Sequence, residues 1–125
     1  CREEGIGLIP WSPLARGFLT GNRPRDGEAS TRAKVDTIAQ GYFGSEQDYR
    51  VKDRLDEVAA RLRLKPAVLA LAWVLARPGI TAPIVGASKP GHLDDAVAAL
   101  KVELDAETIA ALEEPYVTRP PQGHS

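Results

Sequence analysis

Residues Ile6 to Pro10 are apolar without alternating, and a strand with no polar face must be covered on both sides. Gly5–Pro10 therefore reads as a strand of a parallel sheet with helices outside it. It runs directly into Trp11-Ser12-Pro13-Leu14-Ala15-Arg16-Gly17. A second short strand, Ala82–Val85, ends in Gly86-Ala87-Ser88-Lys89 and then opens a helix. Two strands that each finish in a polar, glycine-containing turn suggest one ligand site, because α/β sheets bind at the carboxyl ends of their strands. The spacing of the second turn points to a phosphate.

Between the strands, Gly21–Gly44 is polar and rich in turn residues, and a loop this long is usually functional or mobile. Ser45 and Asp48 then stand three apart, as in a capping box. Leu55, Val58, Ala59 and Leu62 follow at i, i+3, i+4 and i+7, one apolar stripe. Pro66 restarts a helix at a favoured early position, and Ala67–Ala76 is apolar nearly all round, so both its sides should be buried, Trp73 included. Pro78-Gly79 stops it. Ser88 sits where an N-cap belongs, ahead of a helix with Leu93, Val97 and Leu100 on one face. Asp105 caps a last helix, in which Leu104 and Ile109 are placed for a hydrophobic staple and Leu112 continues the face. Residues 115–125 read as an irregular tail.

Two strands alone leave bare edges of unpaired N–H and C=O groups, and self-association through those edges is the expected consequence. At 125 residues the chain is one domain or less. Its first residues, CREEG, read as the tail of a helix ending at a glycine. A longer chain cut upstream, or a trimmed form, both fit that start.

Sixteen Lys and Arg are matched by seventeen Asp and Glu, for a net charge of −1. That balance argues against nucleic acid as the main partner, since backbone phosphates demand a clustered basic face. Cys1 is the only cysteine, which excludes a disulfide framework and a cysteine metal cluster and fits a reducing, cytoplasmic setting. No apolar run reaches the roughly 18 residues of a membrane span. Gly5-Ile6-Gly7-Leu8-Ile9-Pro10 superficially resembles a GxGxxG fingerprint, but Pro10 replaces the third glycine and the glycines precede the strand rather than follow it.

WSPLARGFLTG after an apolar strand, followed by LALAWVLARPGITAPIVGASKPGHLDDAVAAL, resembles the carboxy-terminal part of the aldo-keto reductases. The resemblance covers Cys1 to about Glu114. It implies an α/β fold, the carboxy-terminal part of a (β/α)8 TIM barrel, incomplete in this chain and helix-rich. Gly5–Pro10 would be strand seven and Ala82–Val85 strand eight, with residues 1–114 as partial barrel and 115–125 as tail. It also implies NADP(H) as cofactor and hydride transfer between NADPH and an aldehyde or ketone. The family's catalytic Asp, Tyr, Lys and His come from earlier strands. Tyr42, Tyr49, Tyr116, His92 and His124 stand in no such context, so no catalytic residue and no metal ligand is assigned.

By that resemblance Trp11 would stack on the nicotinamide, a flat ring offering contact area and π geometry. The competing reading is a core tryptophan. Ser12, Pro13, Leu14, Ala15 and Gly17 match the turn around the pyrophosphate, where a hydroxyl and backbone N–H groups donate to oxygens and Gly17 allows close approach. Arg16, Arg23 and Arg32 would add charge, and Arg32 matches an arginine that some members fold over the cofactor. Gly86, Ala87, Ser88 and Lys89 form the second turn, whose helix N-terminus and lysine favour an anion. His92, one turn on, is placed to donate to the 2′-phosphate or pack on adenine. Asp95 and Ala96 stand where the family commonly has Glu and Asn, a departure that weakens the adenine contact and the preference for NADPH over NADH.

The sequence leaves two other readings open. One is a non-catalytic nucleotide-binding or subunit-interaction piece. The other is a helix-turn-helix regulator, since VAARLRLKPAVLALAWVL has that form, although its second helix is apolar where it should meet DNA.

Overall fold

Prolines decide how the two expected strands pair. The computed structural model describes residues 1–21, 24–25, 34 and 36–120, apart from the side chains of residues 38–40. Leu8 and Ile80 form a parallel bridge: the Leu8 N–H donates to the Gly79 carbonyl at 2.9 Å, and the Leu8 carbonyl accepts from the Thr81 N–H at 2.8 Å. A regular ladder would next use the N–H groups of positions 10 and 83, and both are prolines. The pairing slips instead. The Ile84 N–H reaches the Pro10 carbonyl at 2.8 Å, and the second parallel bridge joins Trp11 to Ile84. One extra residue lies on the second segment, as in a bulge. Gly5–Pro10 and Ala82–Val85 are therefore adjacent and parallel as expected, but they meet in two single bridges rather than as continuous strands.

Helices dominate the described residues. They are α1 (Thr37–Tyr42), α2 (Glu46–Leu62), α3 (Pro66–Leu75), α4 (Pro90–Ala99) and α5 (Ala106–Glu113), with a kinked 3₁₀ segment at Ala15–Thr20. α1 lies inside the stretch expected to be loop; its six residues are too short to show a period in sequence. α2 opens on the expected capping box, with Ser45 Oγ accepting from the Asp48 N–H and the Asp48 carboxylate accepting from the Ser45 N–H. Of its predicted stripe, Leu55, Val58 and Ala59 are buried. Leu62 is exposed, because it falls at the last helical residue, beyond the packed part.

α3 is the spine. Val68 through Ala72 are buried in succession, so the helix presents buried side chains in every direction over that span. One cluster joins Leu69 and Ala70 to Leu55, Val58 and Ala59 of α2 and Leu112 of α5. The other joins Val68, Leu71 and Ala72 to Ala99 of α4. Trp73, expected in the core, is only half-buried: its indole N–H donates to Glu113 at 3.0 Å, and Arg77 lies over its ring at 5.0 Å. A helix buried in this way has no face for a DNA groove, so α2–α3 lacks the recognition surface of a helix-turn-helix unit.

Two expectations for α4 are corrected. Lys89, not Ser88, is its N-cap, and no side chain caps it; Pro90 takes the first helical position and moves the start one residue along. Its large apolar face points away from the core, with Leu93, Val97 and Leu100 at 57%, 56% and 69% exposure. Ala96 and Ala99 face α3 instead, because small side chains let the two helices approach. The exposed apolar helix face is thus that of α4, while α3 is covered as expected over Val68–Ala72. α5 begins as expected, with Asp105 accepting from the Thr108 N–H at 2.7 Å. Residues 115–120 add no further helix, and 121–125 lie outside the described residues.

Candidate functional site

The register slip at Pro10 and Pro83 places Trp11 beside Ile84, so the chain leaves both bridges at the same end. The turns that follow, Trp11–Gly17 and Gly86–Lys89, open onto one cleft of about 760 Å³. α3 adds Pro66, Ala67 and Leu71 to its lining, and α4 adds His92 and Asp95. A volume of this order suits a cofactor-sized ligand.

The first turn is fixed from behind. Leu14 packs against both core clusters, and Phe18, buried, meets Tyr49 edge-on at 5.2 Å and stacks near Phe43 at 6.0 Å. With its two ends anchored, the segment between is forced into a tight path. Ser12 (φ 51°), Ala15 (φ 50°) and Arg16 (φ 55°) all hold left-handed backbone, which costs a non-glycine residue about 1–2 kcal/mol. Gly17, at φ 91°, takes that conformation without a Cβ penalty. The N–H groups of Ala15 and Gly17 donate within the turn, to the Ser12 and Leu14 carbonyls, each at 2.9 Å. They are committed to holding the loop, which leaves the Ser12 side chain as the turn's hydroxyl facing the cleft. Arg16 Nε bonds Asp36 Oδ2 at 2.7 Å, tying the turn to the entry of α1.

Trp11 lines the cleft and is 67% exposed, so it is not a core tryptophan. On the second turn the Ser88 N–H donates to His92 Nδ1 at 3.4 Å. That orients the ring and leaves Nε2 as the nitrogen that can donate outward. Gly86 has open space around an added Cβ and an ordinary φ, so nothing in the fold requires glycine there.

Of the residues singled out in sequence, Trp11, Ser12, Pro13, Leu14 and Gly17 line the cleft from the first turn. Gly86, Ser88 and Lys89 line it from the second turn, and His92 and Asp95 from α4. Ala15 and Ala87 lie in the turns but not on the wall. Arg23 and Arg32 lie outside the described residues. Sequence reasoning missed Thr20 and Lys65. Thr20 is set by its hydroxyl bonding the Gly17 carbonyl at 2.8 Å. Lys65 sits at the entry of α3 and reaches Asp95 Oδ1 at 2.7 Å. Neither carries a local motif that would have marked it. Among the described residues no tyrosine lines the cleft; Tyr49 instead packs on Phe18 and under Arg25 at 4.8 Å.

Comparison with known proteins gives a consistent picture. Residues 1–116 match the Aldo/keto reductase family. The aldo-keto reductase AMT2 of Alternaria alternata is 36% identical over all of this chain and 33% of its own length. The versiconal hemiacetal acetate reductase of Aspergillus parasiticus is 39% identical over 95% of this chain and 35% of its own. The aldo-keto reductase dtxS3 of Metarhizium robertsii is 39% identical over all of this chain and 33% of its own. The chain thus spans about a third of the length of the curated relatives it matches.

Proposed function

This chain belongs to the aldo/keto reductase family, and on that premise we propose that it is the NADP(H)-binding, carboxy-terminal part of a (β/α)8 barrel oxidoreductase. Residues 1–114 are the barrel part and 115–125 the tail. The observation that carries this is the single cleft shared by the Trp11 and Gly86 turns. The donor set fits the cofactor. An exposed indole, Lys65, Lys89 and an outward-donating His92 nitrogen all line the cleft. An extended molecule with a flat ring and phosphates along its length suits that set.

NADPH would supply the hydride for reduction of an aldehyde or ketone. The chain's own residues bind and orient it. Trp11 offers a face to the nicotinamide, the rigid Ser12–Gly17 turn holds the pyrophosphate, and Ser88, Lys89 and His92 receive the adenosine end. The proton donor and the carbonyl pocket belong to barrel segments other than those described here, and the natural setting is the cytoplasm. Among the described residues no helix is long and apolar enough to cross a membrane.

The test is a fluorescence titration. Adding NADPH to the chain should quench tryptophan emission saturably, and Trp11→Leu should abolish most of the quench while Trp73 keeps emitting. No saturable change, or an unaltered change in the variant, would remove the assignment. Carbonyl-dependent loss of NADPH absorbance with the chain alone decides between a self-sufficient enzyme and a non-catalytic nucleotide-binding piece.

A further inference from the structure

The geometry points to Lys65 as a specificity-determining residue that reads the phosphate on the adenosine ribose, with Asp95 as its built-in competitor. This inference rests on the nucleotide reading above and deepens it. Lys65 is the N-cap residue of α3, but its side chain makes no capping bond. Its Nζ pairs with Asp95 Oδ1 of α4 at 2.7 Å, and both residues line the cleft. Asp95 lies three residues after His92, so both occupy one face of that helix, one above the other. Lys65 is therefore held within about one helical turn of the histidine that donates into the cleft. The lysine side chain is 69% exposed and the carboxylate only 20%. The lysine is free to swing on its four-carbon stem, while the carboxylate stays fixed in the wall.

Charge decides what such a pair does. With Lys65 and Lys89 both present, Asp95 cancels one cation and the rim keeps a net positive charge toward the cleft. A phosphate monoester brings a charge of about −1.5 to −2 and three acceptor oxygens, enough to draw a flexible ammonium from a shared carboxylate. Without Lys65, the same rim would set an unpaired carboxylate beside the incoming anion. A nucleotide lacking that phosphate gains little from Lys65 and loses little without it.

Adenosine 2′,5′-bisphosphate and 5′-AMP are the probes, because they isolate this end of the cleft and differ by the one phosphate. Binding to the full chain is measured by calorimetry, with thermal melting of each variant recorded alongside. Lys65→Met should weaken the bisphosphate about tenfold, the scale of one lost charge-assisted bond, and leave 5′-AMP within about twofold. Lys65→Arg should restore discrimination, and Asp95→Asn should tighten the bisphosphate alone. If Lys65→Met weakens both nucleotides equally, or neither, the pair is only a clamp between α3 and α4 and the inference fails. If Lys65→Met does not fold, an unchanged bisphosphate-to-AMP ratio in Asp95→Asn overturns it just as well. If the unaltered chain binds neither probe, the nucleotide reading itself fails at this end of the cleft.

Discussion

Gly7 shows how one side chain too many would undo the local geometry. A Cβ built there lies 2.0 Å from Thr81 Oγ1 and 3.3 Å from Thr81 Cβ, across the Leu8–Ile80 bridge. Rotating the threonine relieves the first contact but not the second. Gly7→Ala should destabilise the fold by about 1–3 kcal/mol, the usual cost of overpacking, read as a lower urea midpoint. Thr81→Ala in the same background should recover part of the loss. The glycine that looked in sequence like a fragment of a nucleotide fingerprint thus serves close approach between two chain segments. Gly86 is the opposite case. It has room for a methyl group, so Gly86→Ala should melt like the parent chain and yet bind NADPH more weakly if a phosphate rests on that backbone. Equal binding would show that no ligand atom comes so near.

At the scale of elements, the two ends of α2 behave differently. Its C-terminus closes with the Leu64 N–H on the Ala59 carbonyl at 2.9 Å and the Arg63 N–H on the Ala60 carbonyl at 3.1 Å. This is a Schellman closure with Arg63 at φ 56°, a place usually held by glycine. Arg63→Gly should raise stability by about 0.5–1 kcal/mol, visible as a higher melting temperature. The N-terminus depends on pH. Burial pushes the Asp48 carboxyl up, but bonds from the Ser45 hydroxyl (2.8 Å), the Ser45 N–H (2.9 Å) and the Gly44 N–H (3.0 Å), with Arg119 at 3.1 Å, together hold it below its ordinary 3.8. Because the folded value is the lower one, the carboxylate contributes fully above pH 3.8 and its contribution disappears as pH falls below that. Helicity followed from pH 5 to pH 2 should therefore drop less steeply in Asp48→Asn than in the parent. Identical slopes would mean the box adds nothing to stability. Asp105 is also lowered, by bonds from the Thr108 side chain and N–H, and α5 should loosen in the same direction.

Over the whole molecule, large apolar side chains stay exposed in two places, and the first of them includes Trp11 and Ile84 of the cleft wall. Ile6, Leu8, Ile9, Trp11 and Ile84 along the bridged segments are exposed, as are Leu93, Val97 and Leu100 on α4. Exposed apolar surface of this extent, beside backbone edges with no further strand among the described residues, is an association hazard. The chain alone should gain apparent mass with concentration in sedimentation, and Leu93→Gln with Val97→Gln should suppress the gain. A sharp, cooperative melt of a stable monomer would contradict this. Much of this architecture could be read from residues. Ser45 and Asp105 announce their caps, Pro66 its helix start, and the WSPLARG and GASK turns the two walls of the cleft, because each acts through neighbours a few residues away. Periodicity likewise groups Leu93, Val97 and Leu100 on one face, but it says nothing of whether a partner covers that face. Three further features needed the folded chain: the slip forced by Pro10 and Pro83, the half-exposure of Trp73 on an otherwise buried helix, and Lys65 meeting Asp95. Local bonds are written in the sequence because their partners are close along it. Register, burial and charge pairs between helices belong to residues far apart in the chain, and only packing brings them together.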